Sequence, residues 1–244
     1  SALRSGSTRG VWGETQLRSV VEAAGLLHRV DFDVQASITT DSGGARPDMV
    51  VLTRGGDLYA QHCSSCHVLD GSGEYDAPVH TGFASREWIL GLLHDPRHPR
   101  YFGRTGIDDM KSMTKLGDEK LAAVTEFLFA QGHEKNDRPP SAELVARGEA
   151  VFKKSCMGCH LFQGDGAFEF DGPDMTGYGS RTWIAKQIAH PERVYPEDMN
   201  EMPGFADELS EHDIRMLAGY LRQQRFQKPE TGPLPARPEK KKSA

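Results

Sequence analysis

Apolar residues recur along this chain at helical spacing, and the recurrence happens twice. The stretches Asp118 to Phe129 and Ser210 to Arg222 both read as helices, with the words LAAVTEFL and IRMLAGYL in register. Upstream, Gly55, Tyr59 and Cys63 step at i, i+4 and i+8, and Gly148, Phe152 and Cys156 repeat the step. Between these elements run Pro78 to Ile89 and Pro173 to Ile184, which share a Ser-Arg-x-Trp word: Ser85, Arg86, Trp88 and Ser180, Arg181, Trp183. A serine there reads as a helix N-cap. A repeat of roughly ninety residues predicts two tandem homologous units. The expected layout is an extension over 1–49, units over 50–135 and 143–227, a charged linker over 136–142, and a disordered tail over 228–244. Within the extension, Leu17, Val20, Val21, Ala24 and Leu27 predict one amphipathic helix between Gly13 and Val30, a candidate docking segment, and Asp41 to Gly44 reads as loop.

Each unit carries one Cys-x-x-Cys-His word, Cys63 to His67 and Cys156 to His160, and these words hold all four cysteines. That is the attachment pattern for haem c. Two thiols about one helical turn apart can each form a thioether to one porphyrin, and the following histidine is carried beneath the ring to ligate iron. Paired zinc knuckles are the alternative, but those stand ~15–20 residues apart. The expectation is therefore two covalently attached haems, with iron ligands His67 and His160.

Net charge changes the picture of partners. Lys and Arg number 29 against 35 Asp and Glu, giving −6. This disfavours nucleic acid and favours a redox protein with a basic face. No apolar run nears the ~20 residues that span a bilayer and no secretory signal opens the chain, so membrane contact is expected only through partner subunits or a removed anchor. Covalent haem attachment implies the periplasm or the outer face of the bacterial cytoplasmic membrane.

Each half resembles the class I cytochrome c fold, an all-α domain wrapped around one haem. The resemblance implies that Gly55 and Gly148 allow a close helix crossing, where Tyr59 and Phe152 pack. The partners expected at those crossings are each half's own last helix, through Val124 and Phe127 or Leu217 and Tyr220. It also implies a methionine on the far side of each iron, here Met110 and Met202, with Met113 and Met199 as alternatives. Met157 lies between its two cysteines, Met49 and Met216 read as core, and Met175 and His80 share a repeat position near the haem edge. The carbonyls of Pro78 and Pro173 are expected to orient His67 and His160. Arg86 and Arg181 are candidate propionate donors and Trp88 and Trp183 candidate haem contacts; the alternative is an exposed charge and a core indole.

The stretch from Ser85 to Met113, together with Gly172 to Pro191, resembles more narrowly the two-haem cytochrome c subunit of bacterial cytochrome bc-type quinol oxidoreductases. This implies a relay from an iron–sulfur centre or haem to a soluble cytochrome or terminal oxidase, with no catalytic residues. A free periplasmic two-haem shuttle stays open. So does a two-haem enzyme, of the peroxidase or sulfur-compound oxidising type, with one replaceable axial ligand.

Overall fold

The computed structural model describes residues 54–134, 137, 139–166, 172–193 and 200–229, and the backbone of four short strands before them. The helix expected over Gly13 to Val30 and the tail beyond Pro229 lie outside the described residues. Strands β1 (Asp31–Asp33) and β4 (Val50–Leu52) pair antiparallel with Phe32 opposite Val51. They enclose the hairpin of β2 (Ile38–Thr40) and β3 (Gly43–Ala45). The extension thus holds strands where only a helix and loop were expected. Gly43 and Gly44 extend as part of β3, because each faces a threonine across the ladder.

Helices dominate the rest. They are α1 (Arg54–His62), α2 (Arg86–His94), α3 (Asp118–Gln131), α4 (Ala142–Ser155), α5 (Arg181–Ala189) and α6 (Glu211–Gln223). A short hairpin, β5 (Leu161–Phe162) with β6 (Asp165–Gly166), follows the second haem word. Serine caps start four of the helices: Ser85 accepts from Trp88 N at 3.0 Å, Ser180 from Trp183 N at 3.1 Å, Ser210 from Asp213 N at 3.1 Å, and Ser141 from Leu144 N at 3.4 Å. Such caps contribute about 1 kcal/mol each.

The helix pairing crosses between the halves. Helix α1 lies against α6, where Gly55 is so close that a Cβ would stand 2.7 Å from the Tyr220 Cβ and 2.8 Å from the Met216 carbonyl. Helix α4 lies against α3, where a Cβ on Gly148 would stand 2.0 Å from the Ala123 carbonyl. The expectation that each half closes on its own last helix is corrected accordingly: α1 takes the last helix of the second half, and α4 that of the first. Surface charge follows the same pairing, Arg54 with Asp213 at 2.6 Å and Arg147 with Glu119 at 3.5 Å. Two apolar clusters result. One joins Leu58, Tyr59, Cys63 and Leu69 to Ile184, Ile188, Phe205, Ile214 and Leu217. The other joins Trp88, Ile89, Leu121, Val124 and Phe127 to Phe152, Cys156, Phe162 and Met175.

The chain switches sides at two matching turns. Gly82 and Ala84 take φ of 73° and 58°, and Gly177 and Gly179 take 73° and 72°. Left-handed backbone suits glycine, and Ala84 holds it without that freedom. The turns meet, since a Cβ on Gly179 would lie 3.0 Å from that of Ala84. Phe83 packs on both clusters. Beside this pivot, Arg222, only 3% exposed, pairs with Glu134 at 2.8 Å and with Asp137, and donates to the Gly132 carbonyl at 3.0 Å. Arg225 donates to the carbonyls of Gly132 and, at 2.7 Å, Phe129. These bonds serve carbonyls at the α3 C-terminus that have no partner inside the helix.

Candidate haem sites

Each haem word begins where a helix ends. Cys63 N donates to Tyr59 O at 2.9 Å, Cys66 N to Cys63 O at 3.1 Å, and His67 N to Cys63 O at 2.9 Å. Cys156, Cys159 and His160 repeat this at 2.8, 3.1 and 2.9 Å. The tight turn sends the first thiol inward and the second outward, so Cys63 and Cys156 are buried while Cys66 and Cys159 are exposed. Burial, with the neighbouring cysteine second, pushes the Cys63 thiol up to about 12 and that of Cys156 up to about 11.

The histidines are oriented from behind. His67 Nδ1 lies 2.7 Å from the Pro78 carbonyl, and His160 Nδ1 lies 3.0 Å from that of Pro173. A carbonyl can only accept, so the proton sits on Nδ1 and the Nε2 lone pair is left for a metal. Burial lowers both imidazole pKa values, opposed by the proline contact. Neutral imidazole is the ligating form.

One layer further out, Trp88 Nε1 donates to the Val79 carbonyl at 3.0 Å and Trp183 Nε1 to that of Asp174 at 2.7 Å. Each is the residue after the orienting proline. The indole N–H groups therefore brace the proline loop and leave no donor for a propionate. Arg86 is engaged within the protein as well. Its Nε and Nη2 form a fork on Glu126 at 2.5 and 2.7 Å, and its guanidinium lies 3.7 Å over the Phe129 ring. Glu126 is buried, so it holds the arginine rather than leaving it for a propionate. Arg181 faces Glu134 at 3.5 Å.

Both expected methionines are half-buried against a cluster that contains a haem-word cysteine: Met110 packs on the cluster that includes Cys156, and Met202 on the one that includes Cys63. Met113 also packs on the Cys156 cluster, and its backbone N–H reaches Leu93 O at 2.8 Å just as Phe205 reaches Ile188 O at 3.1 Å. Met113 and Phe205 thus hold equivalent places. Met199 and Met49 lie outside the described residues. Met175 and Met216 are buried core, and Met157 packs on the Cys156 cluster. The first cysteines of the two words sit in different clusters, Cys63 in one and Cys156 in the other, so the four thiols do not gather into one zinc site. Each haem word instead offers two thiols and an imidazole with a free Nε2, with a methionine on the apolar cluster that holds its first cysteine, a donor set that fits a covalently bound haem.

Two features escaped sequence reasoning. Gly73 and Gly166 occupy the same repeat position, take φ of 112° and 130°, and press on the carbonyls of His67 and His160, where a Cβ would meet oxygen at 2.2 and 2.4 Å. Their equal distance from the first cysteine of each word was the available signal. The second is the contact that His80 makes from the repeat position it shares with Met175. His80 stacks on His67 with ring centroids 4.0 Å apart and 15° between planes, and its Nδ1 is 3.1 Å from the Tyr59 hydroxyl. Phe152 and Met175 take these places in the other half, so one site is polar where the other is apolar.

Comparison with known proteins agrees with this architecture. The family model described as cytochrome C oxidase, cbb3-type, subunit III matches residues 51–128 and 143–221. The cbb3-type cytochrome c oxidase subunit CcoP of Cereibacter sphaeroides is 22% identical over 90% of this chain and 78% of its own. CcoP of Rhodobacter capsulatus is 25% identical over 89% and 78%. Cytochrome c4 of Stutzerimonas stutzeri is 26% identical over 65% and 82%. The N-terminal segment has a separate likeness: the RmuC family model matches residues 1–61. The DNA recombination protein RmuC homolog of Zymomonas mobilis is 41% identical over 59 residues, and the chain spans only 13% of that protein's length. No solved structure matches the chain. With two successive matches to one family that together cover more than half of its length, the chain belongs to the cbb3-type subunit III cytochromes, built of two cytochrome c units and carrying two covalently attached haems in electron transfer.

Proposed function

We propose that this chain is a two-haem relay that passes single electrons between a bc-type quinol oxidoreductase and a terminal oxidase, on the periplasmic side of the bacterial membrane. The observation that carries the reading is the pair of donor sets, each with an imidazole oriented by a proline carbonyl and a methionine packed on the cluster that holds the first cysteine of the same haem word. The bound haem supplies a one-electron iron couple. Cys63, Cys66, Cys156 and Cys159 would tether it, and His67, His160, Met110 and Met202 would ligate its iron. With histidine and methionine side chains both committed to iron, a substrate would have to displace one of them to reach it, and no proton-transfer group would be required. The repeats over 50–135 and 143–227 supply these groups. The acidic surface favours a basic docking partner.

A second reading, a subunit of a cbb3-type oxidase itself, is favoured by alignments to such subunits over about nine tenths of the chain. Affinity purification of the haem-loaded chain from its own membranes separates them. Recovery of quinol oxidoreductase subunits supports the first reading, and oxidase subunits alone support the second. A potentiometric titration with two one-electron waves supports relay; rapid carbon monoxide binding to the reduced protein refutes it in favour of an enzyme.

A further inference from the structure

We propose that both iron sites are composite: His67 is paired with Met202, and His160 with Met110, so that each haem takes its imidazole from one sequence repeat and its thioether from the other. This rests on the His–Met reading above and goes beyond it, since repeat logic alone assigns Met110 to His67.

Location decides the pairing. Met202 packs on the cluster that contains Cys63, and Met110 on the one that contains Cys156. Each methionine travels with the helices that changed sides. The Met113 backbone is tied to Leu93 of α2, and that of Phe205 to Ile188 of α5. Aromatic contacts close both sites in the same sense. The Phe205 ring, three residues beyond Met202, stands 6.0 Å from that of His62, next to Cys63. Tyr59 meets Tyr220 at 5.9 Å. At the other site Phe127 meets Phe152 at 5.3 Å and Phe162 at 5.2 Å, and Phe152 lies 6.3 Å from the His160 ring. The crossing helices approach too closely at Gly55 and Gly148 for the pairing to be a loose surface contact. Neither repeat can then close its iron alone, and the turns at Gly82 to Ala84 and Gly177 to Gly179 are where the exchange is made.

The test uses the full chain with Cys156→Ser and Cys159→Ser, which leaves haem only on Cys63 and Cys66. The readout is the weak far-red sulfur-to-iron band of the oxidised protein. Met202→Gln in this background is expected to abolish the band, and Met110→Gln to leave it. Loss with Met110→Gln and retention with Met202→Gln overturns the exchange while leaving His–Met ligation standing. Retention in both variants overturns the ligation reading and the proposal together. A second measurement needs no ligand change. In the two-haem chain with Arg54→Lys and Arg147→Lys, zero-length carbodiimide cross-linking is expected to join the new amine at position 54 to Asp213 and the one at position 147 to Glu119. Links from position 54 to Glu119, or from position 147 to Asp213, overturn the exchange.

Discussion

Gly148→Ala separates close helix crossing from mere helical preference. A Cβ there meets the Ala123 carbonyl oxygen at 2.0 Å, its carbon at 2.6 Å and the Phe127 Cβ at 2.7 Å. The first two are backbone and cannot rotate away, so α3 and α4 must separate around the buried Phe127 and Phe152. Overpacking of this kind costs about 1–3 kcal/mol, and the backbone clash puts the site at the upper end. Alanine in a helix returns about 1 kcal/mol over glycine. The net expectation is about 2 kcal/mol of destabilisation, roughly a thirtyfold fall in the folding constant. Gly55→Ala, with its nearest contacts at 2.7 and 2.8 Å, should cost less, about 1 kcal/mol. Gly56 supplies the control: its Cβ would sit 3.5 Å from the Tyr220 ring, ordinary contact, so Gly56→Ala should be neutral or stabilising by up to about 1 kcal/mol. Urea unfolding of the haem-loaded protein, followed by circular dichroism, measures all three. If Gly148→Ala is as stable as the parent, or less harmful than Gly55→Ala, the helix crossing is wrong.

Arg222→Ala strips a buried guanidinium from Asp137 and Glu134, and losing one partner of a buried pair costs about 3–5 kcal/mol; urea denaturation should show a loss near the lower figure, because Glu134 is half exposed. The Arg86 fork, then burial opposing it, leaves the Glu126 carboxyl below its ordinary range. Its pKa is lower folded than unfolded, so the stability it contributes is present above the unfolded value of about 4.3 and is lost as pH falls through the folded value. Arg86→Leu should flatten that part of the stability–pH curve, measured as urea midpoints across the acid range, and an unchanged curve refutes the coupling. Trp88→Phe leaves the Val79 carbonyl unpartnered beside the buried indole site and should cost about 1–3 kcal/mol. Trp183→Phe, whose contact is exposed, should cost less in the same assay.

The haem words, the repeat and the last helices were readable because thioether chemistry and helix burial impose fixed spacings. The proline carbonyls behind His67 and His160 were expected only through the resemblance to class I cytochrome c, since no spacing dictates which carbonyl meets an imidazole. Which helix pairs with which was not. Gly55 and Gly148 carry identical local patterns, and α3 and α6 offer either of them an apolar stripe with an aromatic, so either pairing satisfies the sequence. The fate of Arg86 was equally hidden, because Glu126 lies forty positions away on another helix. The strands of the extension are three residues each, too short for alternation to betray them, and β3 is mostly glycine.

The proposed relay has both irons closed by a histidine and a methionine. The direct measurement is the intensity of the sulfur-to-iron charge-transfer band in the fully oxidised protein, normalised to the covalent haem content. Two methionine-ligated irons per chain are expected, with no carbon monoxide adduct on reduction at neutral pH. A band worth one iron or none, with carbon monoxide taken up by the remainder, would contradict it.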